Sequence, residues 1–182
     1  LNLQPVSVIS LKMMDEKDQK ILISDQERLH HDAGAILNLN PVVSSIRKSG
    51  AFAFDPVMRG FKYDQLNIVI DGLQSANAAC PNRMDPPTSQ IALNRIKQIE
   101  ILKGPHALRY GIGLGGTINF IQEDPFFSSQ GGVNGRFSTM YESNGNVLRN
   151  EGRVGFNGQN YDIGLLGSWS KGTDYVDGDG NI

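Results

Sequence analysis

Residues 96–120, IKQIEILKGPHALRYGIGLGGTINF, set two β-branched runs on either side of a Gly104-Pro105 turn and a cluster of glycines. This order predicts strands over 97–102 and 117–122, joined by a tight loop in which backbones approach where any side chain would clash. Gly111, Gly113 and Gly116 also spell GxGxxG. A dinucleotide site needs that loop to open a helix. Here Thr117-Ile118-Asn119-Phe120-Ile121 follows, which is β-like. The stretch therefore argues against a nucleotide-dependent enzyme. No Ser, His and acid grouping reads as a triad, and the chain is read as a non-enzyme.

Charge narrows the partners. With 17 Lys plus Arg against 19 Asp plus Glu, the net charge is -2. A nucleic-acid binder would carry a basic patch, so no nucleic-acid partner is expected. No apolar run reaches the 18 or so residues of a transmembrane helix. Membrane β-strands need only about 9–11 residues and alternate, so a barrel stays open. Leu1 is not a natural start, and an export leader is expected to have been removed.

Composition changes near Pro125. Before it, short apolar runs mix with turns and helix-like pieces. Residues 1–10 read as extended and 11–20 as polar and loose. Ser24 or Asp25 is a candidate cap for a short helix over 26–31, and Asp32 for another over 33–39 that Pro41 stops. Residues 60–63 read as a turn. A strand over 66–70 closes on Asp71-Gly72, a hairpin signal, and Thr88 or Ser89 is placed to cap a helix to about residue 94. After Gly131 the period is two. Val133, Gly135, Phe137, Thr139 and Tyr141 share one face, opposite Asn134, Arg136 and Ser138. A second run opposes Leu148, Gly152, Val154 and Phe156 to Arg149, Glu151 and Arg153. A third alternates Tyr161, Ile163, Leu165, Gly167 and Trp169 with Asp162, Gly164, Leu166, Ser168 and Ser170. This suits a barrel with a polar lumen, Trp169 and Tyr175 in an aromatic girdle. It equally suits a soluble meander with one wet face. Either way, three strands cannot close a barrel.

Several polar motifs carry little. His30 and His31 are adjacent, so on a helix they diverge by about 100° and make a poor joint metal site. His106 sits in a turn and is read as structural. Asp177-Gly178-Asp179-Gly180-Asn181 resembles a calcium loop, but Gly is missing from position six in either register, and it is read as an exposed loop. The single cysteine, Cys80, cannot form an internal disulfide. It stands four residues before Met84 in CPNRM, among prolines that shape a loop. Thiolate and thioether are soft ligands that favour Cu(I), and Arg83 would favour the thiolate if near. Burial of Cys80 as a small hydrophobe is the plainer alternative.

Taken together, residues up to about Asp124 resemble the plug of TonB-dependent outer-membrane receptors. The resemblance rests on LNLNPVV (37–43, with Val42 where the family has glycine), Met58-Arg59-Gly60-Phe61, NIVIDG (67–72), IEILKGP (99–105) and YGIGLGGTIN (110–119), in that order. It implies an α+β plug domain over 11–124, followed over 125–182 by antiparallel β-strands that begin a transmembrane β-barrel of about 22 strands, most of it outside this chain. LQPVSVIS, within 1–10, resembles a TonB box, which pairs with the TonB energy-coupling protein by strand addition. A frayed terminus is the alternative there. The implied location is the cell outer membrane, plug inside the barrel and N-terminus periplasmic, with lipid and the rest of the barrel as partners. Residues 74–89 resemble the copper-type branch. That resemblance assigns Cys80 and Met84 as plug residues that hold copper, as Cu(I), the transported substrate. The alternatives are an iron-siderophore or haem receptor in which both sulfurs only pack, and a soluble β-rich binding module.

Overall fold

The computed structural model describes residues 18–30, 32–49, 52–74, 86–174 and 176–180. The TonB-box-like segment, His31 and Tyr175 lie outside them.

The core forms around β7 (Ile96–Leu102) and β8 (Gly116–Gln122), the two strands flanking the glycine loop. They pair antiparallel, Ile99 opposite Phe120 and Ile101 opposite Ile118, all four fully buried. β5 (Leu66–Ile70) adds to β8 in parallel, and β6 (Leu73–Gln74) folds back on β5 through Asp71-Gly72. Both turn residues have positive φ, 49° and 81°, as a two-residue hairpin of this hand requires. The fifth strand is β1 (Asp18–Leu22), giving the order β1-β7-β8-β5-β6. The sequence alone reads this stretch as loose. It is a strand because pairing with β7 places Ile21 opposite Ile99, over the core.

Between β1 and β5 lies a smaller sheet that sequence reading does not anticipate. β2 (Val43–Ser49), β3 (Phe52–Met58) and β4 (Phe61–Lys62) form an antiparallel meander. It is tied to α1 (Ala33–Leu37) by Ser45 of β2, whose hydroxyl donates to Gly34 O at 3.3 Å, and by Asp32. Asp32 caps α1 as expected, accepting from Gly34 N at 2.7 Å, and also accepts from Phe54 N in β3 at 2.8 Å. The helix is shorter than expected, ending at Leu37. Upstream, Ser24 and Glu27 bond reciprocally around the short 3-10 turn Glu27–Leu29. The Ser24 hydroxyl, seconded by its amide, holds the Glu27 carboxyl below its ordinary range.

The expected helix over 88–94 is not formed. Two 3-10 turns, Pro87–Gln90 and Leu93–Arg95, stand in its place. The Thr88 hydroxyl donates to Phe54 O at 2.8 Å and so is committed to β3 instead of a helix start.

β9 (Gly132–Glu142), β10 (Val147–Asn157) and β11 (Asp162–Lys171) form a separate antiparallel sheet. Their register stacks Val133–Phe156–Ile163 and Gly135–Val154–Leu165 on one face, and Arg136–Arg153–Leu166 and Ser138–Glu151–Ser168 on the other. The apolar face points outward, with Phe137 74% and Leu165 64% exposed. Polar residues of the other face reach the N-terminal unit, through Arg136, Arg153 and Glu151. A soluble meander would show its polar face to water. Here the arrangement is reversed, as in a barrel wall around a filled lumen. Strand lengths of 11, 11 and 10 residues match what a tilted membrane strand needs.

Candidate functional site

Cys80 and Met84 fall in residues 75–85, outside the described residues. What the structure does describe is the scaffold on either side of them. On the entry side, the β5–β6 turn is fastened to β8: Gly72 N donates to Asn119 Oδ1 at 3.0 Å, and Gln122 N to Asp71 Oδ1 at 2.9 Å. Tyr110, from the 3-10 segment Gly104–Tyr110, packs so close that a Cβ on Gly72 would meet its ring at 2.9 Å. On the exit side, Pro86, Pro87 and Thr88 are buried, and Ser89 N and Oγ both donate to Pro86 O, at 3.0 and 2.8 Å. Both ends of the CPNRM segment therefore leave from tightly bonded backbone.

The glycine loop is built by Asn67 of β5. Its Oδ1 accepts from Gly113 N at 3.1 Å, and its Nδ2 donates to Thr117 Oγ1 at 3.1 Å. Gly115 N donates to Gln65 O at 2.9 Å. β8 starts directly at Gly116, so no helix N-terminus faces a phosphate. The glycines serve close packing.

Among the described residues no three His, Cys, Asp or Glu side chains are grouped to hold a metal. His30 and His106 are exposed.

A second constellation joins the N-terminal unit to the strands, and sequence reading missed its centre. Glu123, just past β8, receives Arg28 Nη1 at 2.8 Å, Arg136 Nη1 at 3.3 Å and Arg153 Nη1 at 3.7 Å. Beside it Asn94 Nδ2 donates to Glu151 Oε1 at 3.1 Å, and Arg136 Nη2 donates to Asn94 O. The period of two places Arg136 and Arg153 on the polar face of their strands; that this face turns inward, and what it meets there, it does not tell. Above this junction a cleft of about 390 Å³ separates the turns at 87–95 from β10 and β11, with Ser89, Gln90, Asn94, Glu151 and Ser168 in its walls.

The model of the TonB-dependent receptor plug domain matches residues 3–117. The chain belongs to the TonB-dependent receptor plug family. The five-stranded sheet, α1 and the small meander are the plug, and β9–β11 are antiparallel strands of an incomplete barrel. Among solved structures, the copper transporter OprC is similar over 89% of this chain, at 30% identity and a TM-score of 0.75. The siderophore receptor PirA from Pseudomonas aeruginosa is similar over 90% of the chain at 20% identity and a TM-score of 0.56. The ferric citrate transporter FecA is similar over 88% at 21% identity and 0.61. The chain spans only 25%, 30% and 25% of those three chains, so it corresponds to a part of proteins roughly three to three and a half times as long. No curated protein sequence matches the chain.

Proposed function

We propose that this chain is the plug and first barrel strands of a receptor that takes up copper across the outer membrane, energised through TonB. The carrying observation is the 30% identity and TM-score of 0.75 with a copper transporter. The siderophore receptor PirA and the ferric citrate transporter FecA, at 20 and 21% identity, support the fold alone. The chemistry of CPNRM agrees. A thiolate and a thioether four residues apart converge when the loop makes about one turn, and soft sulfur selects Cu(I) over the hard cations around it. Two sulfurs do not complete a closed site, so further ligands come from elsewhere in the plug or from the rest of the barrel.

In this reading copper is cargo. It binds at Cys80 and Met84 on the outward side of the plug, held by the fastened flanks at Gly72 and Pro86. The segment 3–10 pairs with a sheet edge of the periplasmic partner by main-chain hydrogen bonds. A pull then rearranges the plug inside the barrel. No covalent step on the cargo is involved.

The test is copper binding to the whole receptor, purified under reducing conditions, with Cys80→Ala and Met84→Ala alongside. Elemental analysis and X-ray absorption at the copper edge report stoichiometry and ligands. Sulfur-bound copper that both variants lose is the expected result. Copper absent from the intact receptor, or bound equally in both variants, would refute the Cys/Met site and favour an iron-siderophore or haem receptor.

A further inference from the structure

Arg136 and Arg153 are directly opposite each other on β9 and β10, on the face toward the plug. Like charges in register on adjacent strands repel, and both side chains are more than two-thirds shielded from water. The arrangement is tolerable because one carboxylate lies between them. Glu123 Oε1 faces Arg136 and its Oε2 faces Arg153. Arg28, whose side chain is only 12% exposed, shares Oε1 at the shortest distance of the three, 2.8 Å.

Glu123 is not free to follow a displaced partner. Its backbone N–H donates to Arg95 O at 2.9 Å, which extends the β7–β8 ladder by one rung. Arg28 is on the other kind of element. It follows β1, an edge strand with one neighbour, and sits in a three-residue 3-10 turn. So the joint ties the weakly held N-terminal part of the plug to both the central sheet and the wall.

We infer that Glu123 is an ionic joint fastening the N-terminal part of the plug to the barrel wall, and that separating Arg28 from it is the step by which tension on the N-terminus loosens the plug. The first half stands on the geometry alone. The second rests on the energised-uptake reading. Removing the carboxylate has a particular consequence: the three guanidiniums lose the one anion they share and keep only separate ones at the edge, Asp25 at 3.6 Å from Arg28 Nε and Glu151 beside Arg136. Loss of one arginine then becomes favourable where it was unfavourable before.

Hydrogen exchange on the whole receptor in detergent reads the first half and needs no TonB. In Glu123→Gln and in Arg28→Gln, amides of residues 18–30 should exchange about ten-fold faster, the size expected for one charge-assisted hydrogen bond. Amides of β8, which has no pairing with β1, should be unchanged. Arg136→Gln should speed exchange in the wild-type background and slow it in the Glu123→Gln background. Unchanged exchange over 18–30 in both single variants, or an Arg136→Gln effect of the same sign in both backgrounds, would overturn the joint. Should Glu123→Gln not fold, Arg28→Gln alone decides by the same criterion. Pulling single receptors by the N-terminus reads the second half: Arg28→Gln should lower the force of the first opening event, and equal forces would overturn it. Both readouts stay interpretable if uptake proves independent of TonB.

Discussion

Replacing Gly116 by alanine is expected to destabilise the plug by at least about 3 kcal/mol. Two separate causes act at this residue. Its φ is +134°, in a region that L side chains rarely adopt. A Cβ there would also lie 2.7 Å from Leu102 O and collide with the Met58 methyl. The methyl can swing away. The carbonyl cannot, because Leu102 is the partner of Thr117 in the β7–β8 ladder, and moving it breaks the central pairing. Gly60 separates the two causes. It has φ +84° but nothing within 4 Å of a Cβ position, so Gly60→Ala should cost only about 1 kcal/mol. Exchange of the slowest β7 and β8 amides in the whole receptor reads both, and about 3 kcal/mol corresponds to an acceleration of more than 100-fold. Equal effects of the two substitutions would mean that the close approach of β7 and β8 at Gly116 does not matter energetically.

Phe120→Ala should cost about 3–5 kcal/mol. Phe120 is fully buried and is the largest such side chain among the described residues. It lies on β8 between Ile99 of β7 and Ile70 of β5, so the void opens in the middle of three paired strands. Collapse around it is restricted, because Asp71 N, at the adjoining turn, donates to Phe120 O at 3.0 Å. The consequence reaches the site. That turn carries the chain into residues 75–85, so Phe120→Ala should raise exchange at 70–74 as well as in the core. A change confined to the core would show that the entry flank of the Cys80 segment is held independently of β8.

How far the sequence anticipates the structure depends on whether a residue's partner is near it or implied by a period. β5 is read at its observed bounds, because five apolar-rich residues end on Asp-Gly. β7 and β8 each begin one residue earlier than expected. The alternation after Gly131 yields the two faces of β9–β11 correctly, but which face meets water follows only from contact with the plug. β1 is missed because Asp18, Gln19 and Lys20 look like a polar linker, and only Ile21 and Ile23 reach the core. β3 is missed for Pro56 and Asp55 in its middle. The Glu123 joint is illegible for a different reason. Arg28 is 95 residues away in sequence and Arg136 is 13, and no local pattern links an acid to two arginines on strands not yet folded. Cys80 and Met84 are the reverse case. Their chemistry is plain in five residues, while their geometry belongs to residues 75–85.

Uptake of labelled copper by cells tests the central claim most directly. The whole receptor is placed in a strain that lacks copper receptors of its own, with and without TonB, beside a form lacking residues 3–10. Energised copper uptake predicts accumulation only with TonB, abolished when the segment is deleted and reduced in Cys80→Ala. Equal accumulation without TonB, or uptake of an iron chelate and not of copper, would contradict it.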